Sequence, residues 1–476
     1  MGAKGLIENF LEIKNGQLTI DGVGSVELVN NYGSPLFVFS ERRIRHNVER
    51  LKMIRNVIGC PLKICYAAKA MSTMAILRVV RDAGIDIEVN SGGELWKALK
   101  AGFDPQQIIF NGTSKEAWEI EMAIDHGIYA IQVDSLFELS LIDETAKRLD
   151  ENANVSLRLV PEIETDTHSG LQTALLTSKF GMMPDEAFSA FHQFKHSSNV
   201  SLTGIHLHIG SQNPDPSVYA DALKLLFTNL ISIYEDTGVK LHHLNLGGGF
   251  PVDYLRDDSL GSKFDGSHKK LFSSVYEPAD ALAKAWDVVL DAAEFANATE
   301  YLKDTTLLIE PGRSIIADTG VCLMTVRNKK ERPVSRPDKL PAGAPAKNDV
   351  WLLTDAGFNI LLSMETYKWY YHLISASRSG QEHDQEYKLA GPLCDGGDVY
   401  FDIEGQGRLP EHRELPSNVE PGEILAMLNC GAYSLAQASQ YNGRLLPSVV
   451  LIRGDGTPEL IRRRDDLNDL INNDVY

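Results

Sequence analysis

The chain has few of the features that mark a secreted, membrane-bound or zinc-binding protein. It has only five cysteines in 476 residues, and none of them forms a C-x-x-C pair, which argues against a disulfide framework or a zinc site. No stretch approaches the roughly eighteen apolar residues of a membrane helix. The start has no signal-peptide apolar region, and Leu6 stands where myristoylation requires Ser or Thr. We expect a cytoplasmic protein with reduced thiols.

Positive charge is also scarce. Lys plus Arg number 46 against 65 Asp plus Glu, a net charge of −19, which disfavours generic binding to nucleic acid or to an anionic membrane. An anionic ligand therefore needs a local cationic pocket. With 43% apolar and 23% charged residues the composition is that of a globular protein. The length suggests two or three domains, or one large barrel with an attachment.

The sequence does contain a regular alternation of short β-branched runs with amphipathic stretches. Eight runs lie at residues 62–68, 85–90, 108–111, 130–134, 155–160, 204–209, 244–247 and 307–310. The stretches between the early runs have apolar residues three and four apart, which is typical of helices. Strand and helix alternating eight times predict an α/β fold, a (β/α)8 TIM barrel.

A doubly wound open sheet has the same alternation and is the alternative. Residues capable of chemistry stand at the carboxyl ends of many runs: Lys69, Glu88, Asn111, Asp134, Arg158, His208, Gly247 and Glu310. An open sheet would concentrate its site at one switch point, and no G-x-G-x-x-G follows the first run. Both observations favour the barrel.

Beyond Gly320 the pattern changes. A basic segment with Pro333, Pro337, Pro341 and Pro345 predicts an exposed, partly extended excursion. Short runs follow at 350–354, 399–401, 424–428 and 448–452 without long helices between them, and residues 17–39 hold two similar runs. We therefore predict a barrel over residues 40–320 and a β-rich domain built from residues 1–39 and 321–476.

Two motifs supply candidate catalytic side chains. Lys69, in YAAKA, ends the first predicted strand among small apolar residues, where desolvation lowers the pKa of an amine and suits it to a Schiff base. A snorkelling lysine is the alternative. Alternation places His206 and His208 on the same inward face of the sixth strand. Without a carboxylate set, metal binding is weakly indicated. His208 can stack on a cofactor ring, while His206 fits a hydrogen-bonded core histidine.

Two further motifs follow the seventh and eighth runs. The glycines at 247–249 can form a nest of N–H groups for an oxyanion, or simply a tight turn. Glu310, in EPGR, can keep a ring nitrogen protonated, and Arg313 can bind a phosphate or carboxylate; an ion pair of Glu310 with Arg158 is the alternative. Lysine, imidazole, anion nest and carboxylate together match what pyridoxal phosphate requires.

Over nearly its whole length the chain resembles the fold-type III pyridoxal-phosphate decarboxylases, alanine racemase-like barrels that include diaminopimelate and ornithine decarboxylases. The resemblance rests on the motifs YAAKA, NSGGE, SKFG, HLHIGSQ, GGGFP, EPGRS, CDGGD, and GAY with YN. It implies that Lys69 binds the cofactor as a Schiff base, that His208 stacks on the ring, and that Glu310 pairs with the pyridine nitrogen. The implied cofactor-binding set also includes Glu88, Arg158, Ser211, Gly248, Gly249, Gly312, Arg313 and Tyr433.

The resemblance also implies a homodimer with shared active sites. Cys394 and Asp395 would reach into the partner subunit's site, where the cysteine returns a proton to the carbanion and the aspartate binds the distal amine. The implied substrate-binding residues are Arg313, Tyr367, Asp395 and Tyr433. The expected reaction is α-decarboxylation of a diamino or basic amino acid through a Schiff base and a quinonoid intermediate, with no metal.

Departures from the family bear on the substrate. Diaminopimelate decarboxylases usually have Glu at the position of Asp395, and at Ser363 an Arg that binds the distal carboxylate; Glu88 stands where many relatives have Asp. Losing that guanidinium predicts weaker binding of a substrate with a second carboxylate, unless Arg378 replaces it. The segment TDAGFNILLS with ASR, KLAGPLCDGGD and LIRRRDD resembles a bacterial side branch acting on D-ornithine and D-lysine.

Three other functions stay open on the sequence. A decarboxylase of a larger conjugated amino acid, as in siderophore or antibiotic biosynthesis, has the same motifs. An amino-acid racemase uses the same barrel type and is distinguished by the absence of released CO2. A cofactor-binding relative without activity is the third, and the presence of both Lys69 and Cys394 argues against it.

Overall fold

The computed structural model describes residues 2–160, 163, 167, 178–256, 264, 266–273, 275–333 and 348–475. The chain forms two compact units. One comprises Ile44–Val252 and Ser274–Ile316, and the other comprises Met1–Arg43, Asp253–Ser273 and Ala317–Tyr476. The domain boundaries at 40 and 320 stay predictions. None of the helices in the described ranges combines the length and apolar content needed to cross a membrane.

The chain begins in the β-rich unit. Its first elements are β1 (Leu11–Lys14), β2 (Gln17–Ile20), β3 (Val23–Gly24), α1 (Ser25–Tyr32), β4 (Leu36–Ser40) and α2 (Glu41–Lys52). Strands β1, β2 and β3 form a small antiparallel sheet. All five residues of β4 are buried, because this strand lies inside the larger sheet described below.

Eight parallel strands then close into a barrel. They are β5 (Leu62–Ala67), β6 (Asp86–Val89), β7 (Ile108–Phe110), β8 (Ala130–Val133), β9 (Ala153–Arg158), β10 (Val200–His206), β11 (His243–Asn245) and β12 (Thr306–Ile309). Because β12 pairs with β5, the sheet has no open edge. The predicted (β/α)8 barrel is confirmed, and the open-sheet alternative is wrong.

Helices separate successive barrel strands. They are α3 (Met74–Asp82), α4 (Gly92–Ala101), α5 (Ala117–Asp125), α6 (Leu136–Leu149), α7 (Pro184–Phe194), α8 (Val218–Thr237), α9 (Gly266–Ser273), α10 (Pro278–Phe295), α11 (Thr299–Asp304) and, after the last strand, α12 (Arg313–Ile316). Helix α9 belongs to the β-rich unit.

Two strand-to-helix turns show why the helices begin directly after the strands. The hydroxyl of Ser91 accepts a hydrogen bond from the Glu94 backbone N–H at 3.2 Å, and the Glu94 carboxylate accepts one from the Asn90 N–H at 2.9 Å. Ser135 and Glu138 repeat this pattern before α6. Such reciprocal caps satisfy N–H groups that a helix start leaves free, so the turns stay short and the strand ends lie together.

The β-rich unit is completed after the barrel. It contains β13 (Gly320–Pro333), β14 (Asn348–Thr354), α13 (Leu362–Thr366), β15 (Leu373–Ser375), β16 (Gln385–Ala390), β17 (Arg413–Leu415), β18 (Ile424–Met427), β19 (Ser448–Ile452) and β20 (Pro458–Arg462). Strands β13 to β20 form a nine-stranded sheet with β4, in which β13 pairs with β4, β14 and β18. The predicted β-rich domain is confirmed.

Two predicted strands differ most from the structure, whereas the bounds of the others agree to within two residues. The run 399–401 is not a strand; only Val399 forms an isolated bridge, to Ala390, because the preceding loop turns at Asp395 and Gly397. The sixth barrel strand ends at His206, since the paired segments of β9 and β11 also end there. The predicted Pro-rich excursion has residues 334–347 outside the described residues, and Pro333 is the last residue of β13.

Candidate active site

The predicted lysine stands at the carboxyl end of the first barrel strand. Lys69 lies in a short turn, Ala68–Ala70, directly after β5. The alanines on either side are buried, whereas Lys69 is exposed, so the structure does not show the desolvated surroundings predicted for its amine. Its positive charge acts on the carboxyl of Glu310 and on the ring of His208. The ammonium group therefore lies within electrostatic reach of two other predicted site residues.

The carboxylate of Glu310 is the centre of a buried polar cluster. Glu310 follows β12 and is 5% exposed. Its Oε1 accepts hydrogen bonds from Nδ2 of Asn245 at 2.6 Å and from Nδ2 of Asn111 at 3.0 Å. The Asn111 nitrogen also donates to Oε1 of Glu88 at 2.8 Å, so one amide bridges two carboxylates. The ends of four barrel strands thus bring two acids and two amides together.

This cluster holds more negative charge than it can easily stabilise. Burial and then the negative charge of Glu88 raise the pKa of Glu310 from 4.5 to about 7. The second oxygen of Glu88, Oε2, is buried and accepts no hydrogen bond within the described ranges. A cation placed beside Glu310 would favour its ionised form. The cluster is therefore a receptor for a positively charged or protonated group.

The two predicted histidines lie at the end of β10 and just beyond it, and their shared inward face stays a prediction. His206 ends β10, and its Nε2 lies 3.7 Å from Oε2 of Glu310. The Leu207 N–H, between the two histidines, donates to the Asn245 carbonyl at 3.0 Å. His208 lies two residues beyond the strand. Its Nδ1 accepts a hydrogen bond from the Gly248 N–H at 3.3 Å. Burial and the nearby positive charges lower the pKa of both rings well below 6.5, which keeps them neutral at pH 7.

The glycine triplet comes close to neighbouring backbone and side chains. A Cβ on Gly248 would lie 2.4 Å from the carbonyl oxygen of Glu310, and one on Gly249 would lie 2.4 Å from Nδ2 of Asn213. Gly249 also has a φ of +101°, which other residues rarely adopt. The side-chain Oδ1 and Nδ2 of Asn213 are buried and have no hydrogen-bond partner in the described part of the chain. The turn is thus a cradle with unsatisfied polar atoms.

Two arginines lie near the other strand ends. Arg313, the first residue of α12 after Gly312, is 8% exposed and donates from Nε to the Ser211 hydroxyl at 3.1 Å. Arg158 ends β9, and its guanidinium carbon lies 4.2 Å from the centre of the Phe180 ring. Burial lowers the pKa of Arg158. Both guanidinium groups are held in place and can contribute positive charge to an anionic ligand.

The remaining predicted residues lie in the β-rich unit. Cys394 and Asp395 are exposed on the loop after β16. The Asp395 carboxylate accepts hydrogen bonds from the Tyr441 hydroxyl at 3.1 Å and from the Gly397 N–H at 2.9 Å. Tyr367, the residue after α13, is half-buried. Tyr433 is also half-buried, and its φ is +56°.

Sequence reasoning did not assign a site role to either asparagine of the cluster. The sequence marks Asn111 only as a polar residue at a strand end and assigns no role to Asn245. One signal could have indicated both residues, namely an asparagine at the end of a short strand. Asn111 ends IIFN, and Asn245 ends HLN shortly before the glycine triplet. Only the closed barrel brings both amides to the same carboxylate.

The residues present fit pyridoxal phosphate. The buried carboxylate cluster can bind the ring nitrogen of the cofactor. The neutral His208 can stack on the face of the ring. The glycine cradle, together with Ser211 and Arg313, can bind the phosphate. Lys69 has the amine that a Schiff base requires. Among the described residues no group of three or more His, Cys, Asp or Glu could hold a metal ion. Fold and site define the class as pyridoxal-phosphate enzymes built on a (β/α)8 barrel.

Comparison with known proteins identifies the family. Residues 44–317 match the family described as pyridoxal-dependent decarboxylase, pyridoxal binding domain. The chain is 33% identical over 471 residues to diaminopimelate decarboxylase of Methanocaldococcus jannaschii, covering 98% of this chain and 96% of that protein. It is 31% identical over 466 residues to the Bacillus subtilis enzyme, covering 97% and 96%. The chain belongs to the family of pyridoxal-dependent decarboxylases.

Solved structures agree. The crystal structure of the M. jannaschii diaminopimelate decarboxylase has a TM-score of 0.83 and 32% identity, covering 98% of each chain. The same enzyme in complex with L-lysine has a TM-score of 0.82. The protein is a pyridoxal-phosphate-dependent amino-acid decarboxylase. The predicted family, cofactor and enzyme class are confirmed.

Proposed function

We propose that the protein removes the α-carboxylate of a diamino acid whose far end carries an amine rather than a second carboxylate. The observation that carries the proposal is the buried Glu310 carboxylate, held by Asn111 and Asn245 at the strand ends within reach of the Lys69 charge. Bound pyridoxal phosphate supplies the electron sink for the pair of electrons that CO2 leaves behind.

Each residue of the cluster has a distinct proposed role. Lys69 would hold the cofactor through its side-chain amine. Glu310 keeps a proton on the ring nitrogen, because a carboxylate with two fixed amide donors is oriented for that bond. His208, whose low pKa leaves it neutral, lies against the ring without adding a competing positive charge.

We assign the phosphate to the glycine turn after β11 and to the residues beside it. Gly248, Gly249 and Gly312 allow close approach of the backbone, while Ser211 and Arg313 offer a hydroxyl and a guanidinium. We place Arg158 and Glu88 around the ring on the family motifs and on their positions at the ends of β9 and β6. The assignment of Tyr433 and Tyr367 rests on the family motifs alone.

The preference for an amine rests on what the β-rich unit offers at the substrate's far end. Ser363 stands where relatives have an arginine, and its hydroxyl is directed to the Tyr433 carbonyl at 3.4 Å. Arg378 is not available instead, because its Nε and Nη2 bind the Glu423 carboxylate at 2.7 and 3.0 Å. Asp395 offers an exposed carboxylate that suits an ammonium group.

We also infer a cytoplasmic homodimer in which Cys394 and Asp395 complete the partner subunit's site. Both side chains are exposed on one loop. A side chain that enters the site of another subunit has to be exposed before the subunits assemble. In this arrangement the Cys394 thiol returns a proton to the substrate's α-carbon after CO2 has left.

The proposal is tested with Lys69→Ala. We expect this variant to lose the absorbance of the lysine-bound cofactor, near ~420 nm for such imines, together with CO2 release from amino acids. Lys97→Ala is the matched control, since Lys97 is a partly buried lysine bound to the Ser72 hydroxyl at 2.9 Å. Absorbance that persists in Lys69→Ala, or is lost equally in the control, would refute the lysine assignment.

The substrate is tested by CO2 release from meso-diaminopimelate and from both enantiomers of lysine, ornithine and arginine. We expect turnover with lysine or ornithine to exceed that with diaminopimelate. Strong activity on diaminopimelate would overturn the argument from Ser363, and it would do so without affecting the proposed roles of Lys69 and Glu310. Amino-acid racemisation without CO2 would refute decarboxylation itself.

A further inference from the structure

The β-rich unit contains a cavity of about 710 Å³ for which the proposed reaction has no use. Its wall includes residues from β13 and β14, residues 391–393 after β16, residues 443–445, and Arg464 just beyond β20. We call it the arginine cavity. Sites for small molecules commonly have volumes of roughly 300–1,000 Å³, so the space suits a ligand of metabolite size.

The wall of the arginine cavity has an excess of positive charge. Three arginines, Arg327, Arg444 and Arg464, line it together with a single carboxylate, that of Asp355. The Asp355 carboxylate is already occupied: its Oδ2 accepts bonds from Arg327 Nε at 3.0 Å and Nη2 at 2.7 Å, and from the Ser34 hydroxyl at 2.6 Å. The guanidinium groups of Arg444 and Arg464 form no direct ion pair with this carboxylate, although its charge acts on Arg464.

Those two groups are held by backbone carbonyls. Nη2 of Arg464 donates to the Pro35 oxygen at 2.7 Å, and Nη2 of Arg444 to the Pro392 oxygen at 2.8 Å. Within the described ranges neither has an ion-pair partner. Burial lowers the pKa of Arg464; the negative charge of Asp355 opposes this shift, and the charges of Arg327 and Arg462 add to it. Arg464 is half-buried and Arg444 is exposed. A guanidinium group held in place binds carboxylates and phosphates well, because less entropy is lost on binding.

Arg464 differs from the two arginines that precede it, Arg462 and Arg463, in what its side chain contacts. Arg462 binds the Asp465 carboxylate at 2.6 Å, and Arg463 binds that of Asp469 at 2.6 Å. Arg464, the third member, extends to the cavity instead. In a chain with a net charge of −19, this wall is a local concentration of positive charge.

We propose that the arginine cavity binds a small organic dianion, either a phosphate monoester or a dicarboxylate. The charged group binds the guanidinium groups of Arg444 and Arg464, which both line the cavity. Its apolar part packs against leucine and isoleucine side chains of the same wall: Leu353, Ile360, Leu393, Leu445 and Leu467. The combination of a cationic end and an apolar wall favours an organic anion over inorganic phosphate.

Binding there affects the loop that carries Cys394. Residues 391–393 of the wall directly precede Cys394, whose N–H donates to Oδ1 of Asn442 at 2.6 Å. Asn442 is followed by Gly443 and Arg444 of the same wall. An anion that engages Arg444 therefore alters turnover through this loop. This consequence rests on the proposed function of Cys394, whereas the binding itself does not.

The experiment is calorimetric titration of the pyridoxal-phosphate-loaded enzyme, in which the cofactor already fills its own phosphate site. The probes are phenyl phosphate, succinate and inorganic phosphate, which separate phosphate from dicarboxylate recognition and measure the apolar contribution. The variants are Arg464→Gln and Arg444→Gln. Arg463→Gln is the matched control, because it removes a charge from the same run at a side chain outside the cavity wall.

We expect one site per chain for phenyl phosphate or succinate, with the Kd raised at least about tenfold in both cavity variants, the loss expected for one charged hydrogen-bonding partner. Arg463→Gln should bind as the unmodified protein does. No binding by any organic probe, an equal loss in all three variants, or strict competition with the amino-acid substrate would overturn the proposal. If Arg464→Gln fails to fold, Arg444→Gln decides, since its side chain is exposed.

Discussion

At the scale of single residues, Asn111 and Asn245 determine how Glu310 can act. Both amides donate to the same oxygen, Oε1, which leaves Oε2 as the oxygen that faces other partners. Asn245 also accepts the Gly247 N–H at 2.9 Å. One asparagine side chain thus connects the glycine turn to the carboxylate, so that the two ends of the proposed cofactor site are held in a fixed relation.

Replacing Glu310 by Gln should preserve cofactor binding and reduce turnover. The amide has the same shape and can still accept bonds from Asn111 and Asn245, but it carries no charge to stabilise a protonated ring nitrogen. We expect a loss of several kcal/mol of transition-state stabilisation, on the order of a broken buried charge pair, or roughly a 10²–10³-fold fall in kcat. Steady-state rates with absorbance spectra check this, and unchanged turnover would contradict the role of Glu310.

The raised pKa of Glu310 also predicts how the cofactor-free protein responds to pH. A folded-state pKa of about 7 against an ordinary 4.5 gives stability that is fully present below pH 4.5 and lost as the pH rises through 7. The Glu310→Gln variant lacks this dependence. Relative to it, the unmodified apoprotein should lose up to roughly 3 kcal/mol between pH 5 and 8.

Urea unfolding of both apoproteins across that pH range measures this difference. Glu121→Gln is the control, since Glu121 is exposed and paired with Arg148, and it should reproduce the pH dependence of the unmodified protein. A constant difference between the unmodified protein and Glu310→Gln would mean that Glu310 titrates normally.

At the scale of elements, the turn after β11 depends on glycine for two separate reasons. Gly248 needs space, because its missing Cβ would meet the Glu310 carbonyl oxygen of the adjacent strand end at 2.4 Å. Gly249 needs both space and a positive φ. The two explanations that the sequence left open, an anion nest and a tight structural turn, are therefore compatible, since the close packing that requires glycine also forms the cradle.

Gly249→Ala should weaken cofactor binding and destabilise the fold. The strained φ costs about 1–3 kcal/mol, and the added methyl group displaces Asn213 or the Gly210 carbonyl. Gly93→Ala is the control, because Gly93 lies in the first turn of α4 with its nearest neighbour 3.7 Å from the new Cβ; it should be neutral or slightly stabilising. Cofactor titration and thermal unfolding measure both variants, and equal behaviour would contradict the cradle.

At the scale of the whole molecule, the proposed homodimer makes a specific prediction about mixed subunits. Lys69→Ala and Cys394→Ala homodimers should each be nearly inactive. If Cys394 serves the partner subunit's Lys69 site, a mixed dimer has one intact site and one doubly altered site. Random exchange of equal amounts then restores about a quarter of full activity, since half of the dimers are mixed.

Subunit exchange is followed by tagging one variant and recovering mixed dimers, and CO2 release is measured before and after exchange. The control pair is Lys69→Ala with Glu310→Gln, two residues of the same barrel unit. Such a mixture leaves every site with one defect and should gain nothing. Recovered mixed dimers of the first pair without restored activity would refute the shared site.

The sequence by itself determined the barrel, because eight apolar runs with capped amphipathic helices between them have few other ways to bury their surface. It also indicated pyridoxal-phosphate chemistry, because Lys69, the glycine triplet and Glu310 each lie in a short motif that can be read without the tertiary structure. The local sequence could not reveal three features of the structure. These are the Asn111 bridge between Glu88 and Glu310, the end of β10 two residues before His208, and the arginine cavity. These depend on which distant strands become neighbours, and only closure of the sheets decides that.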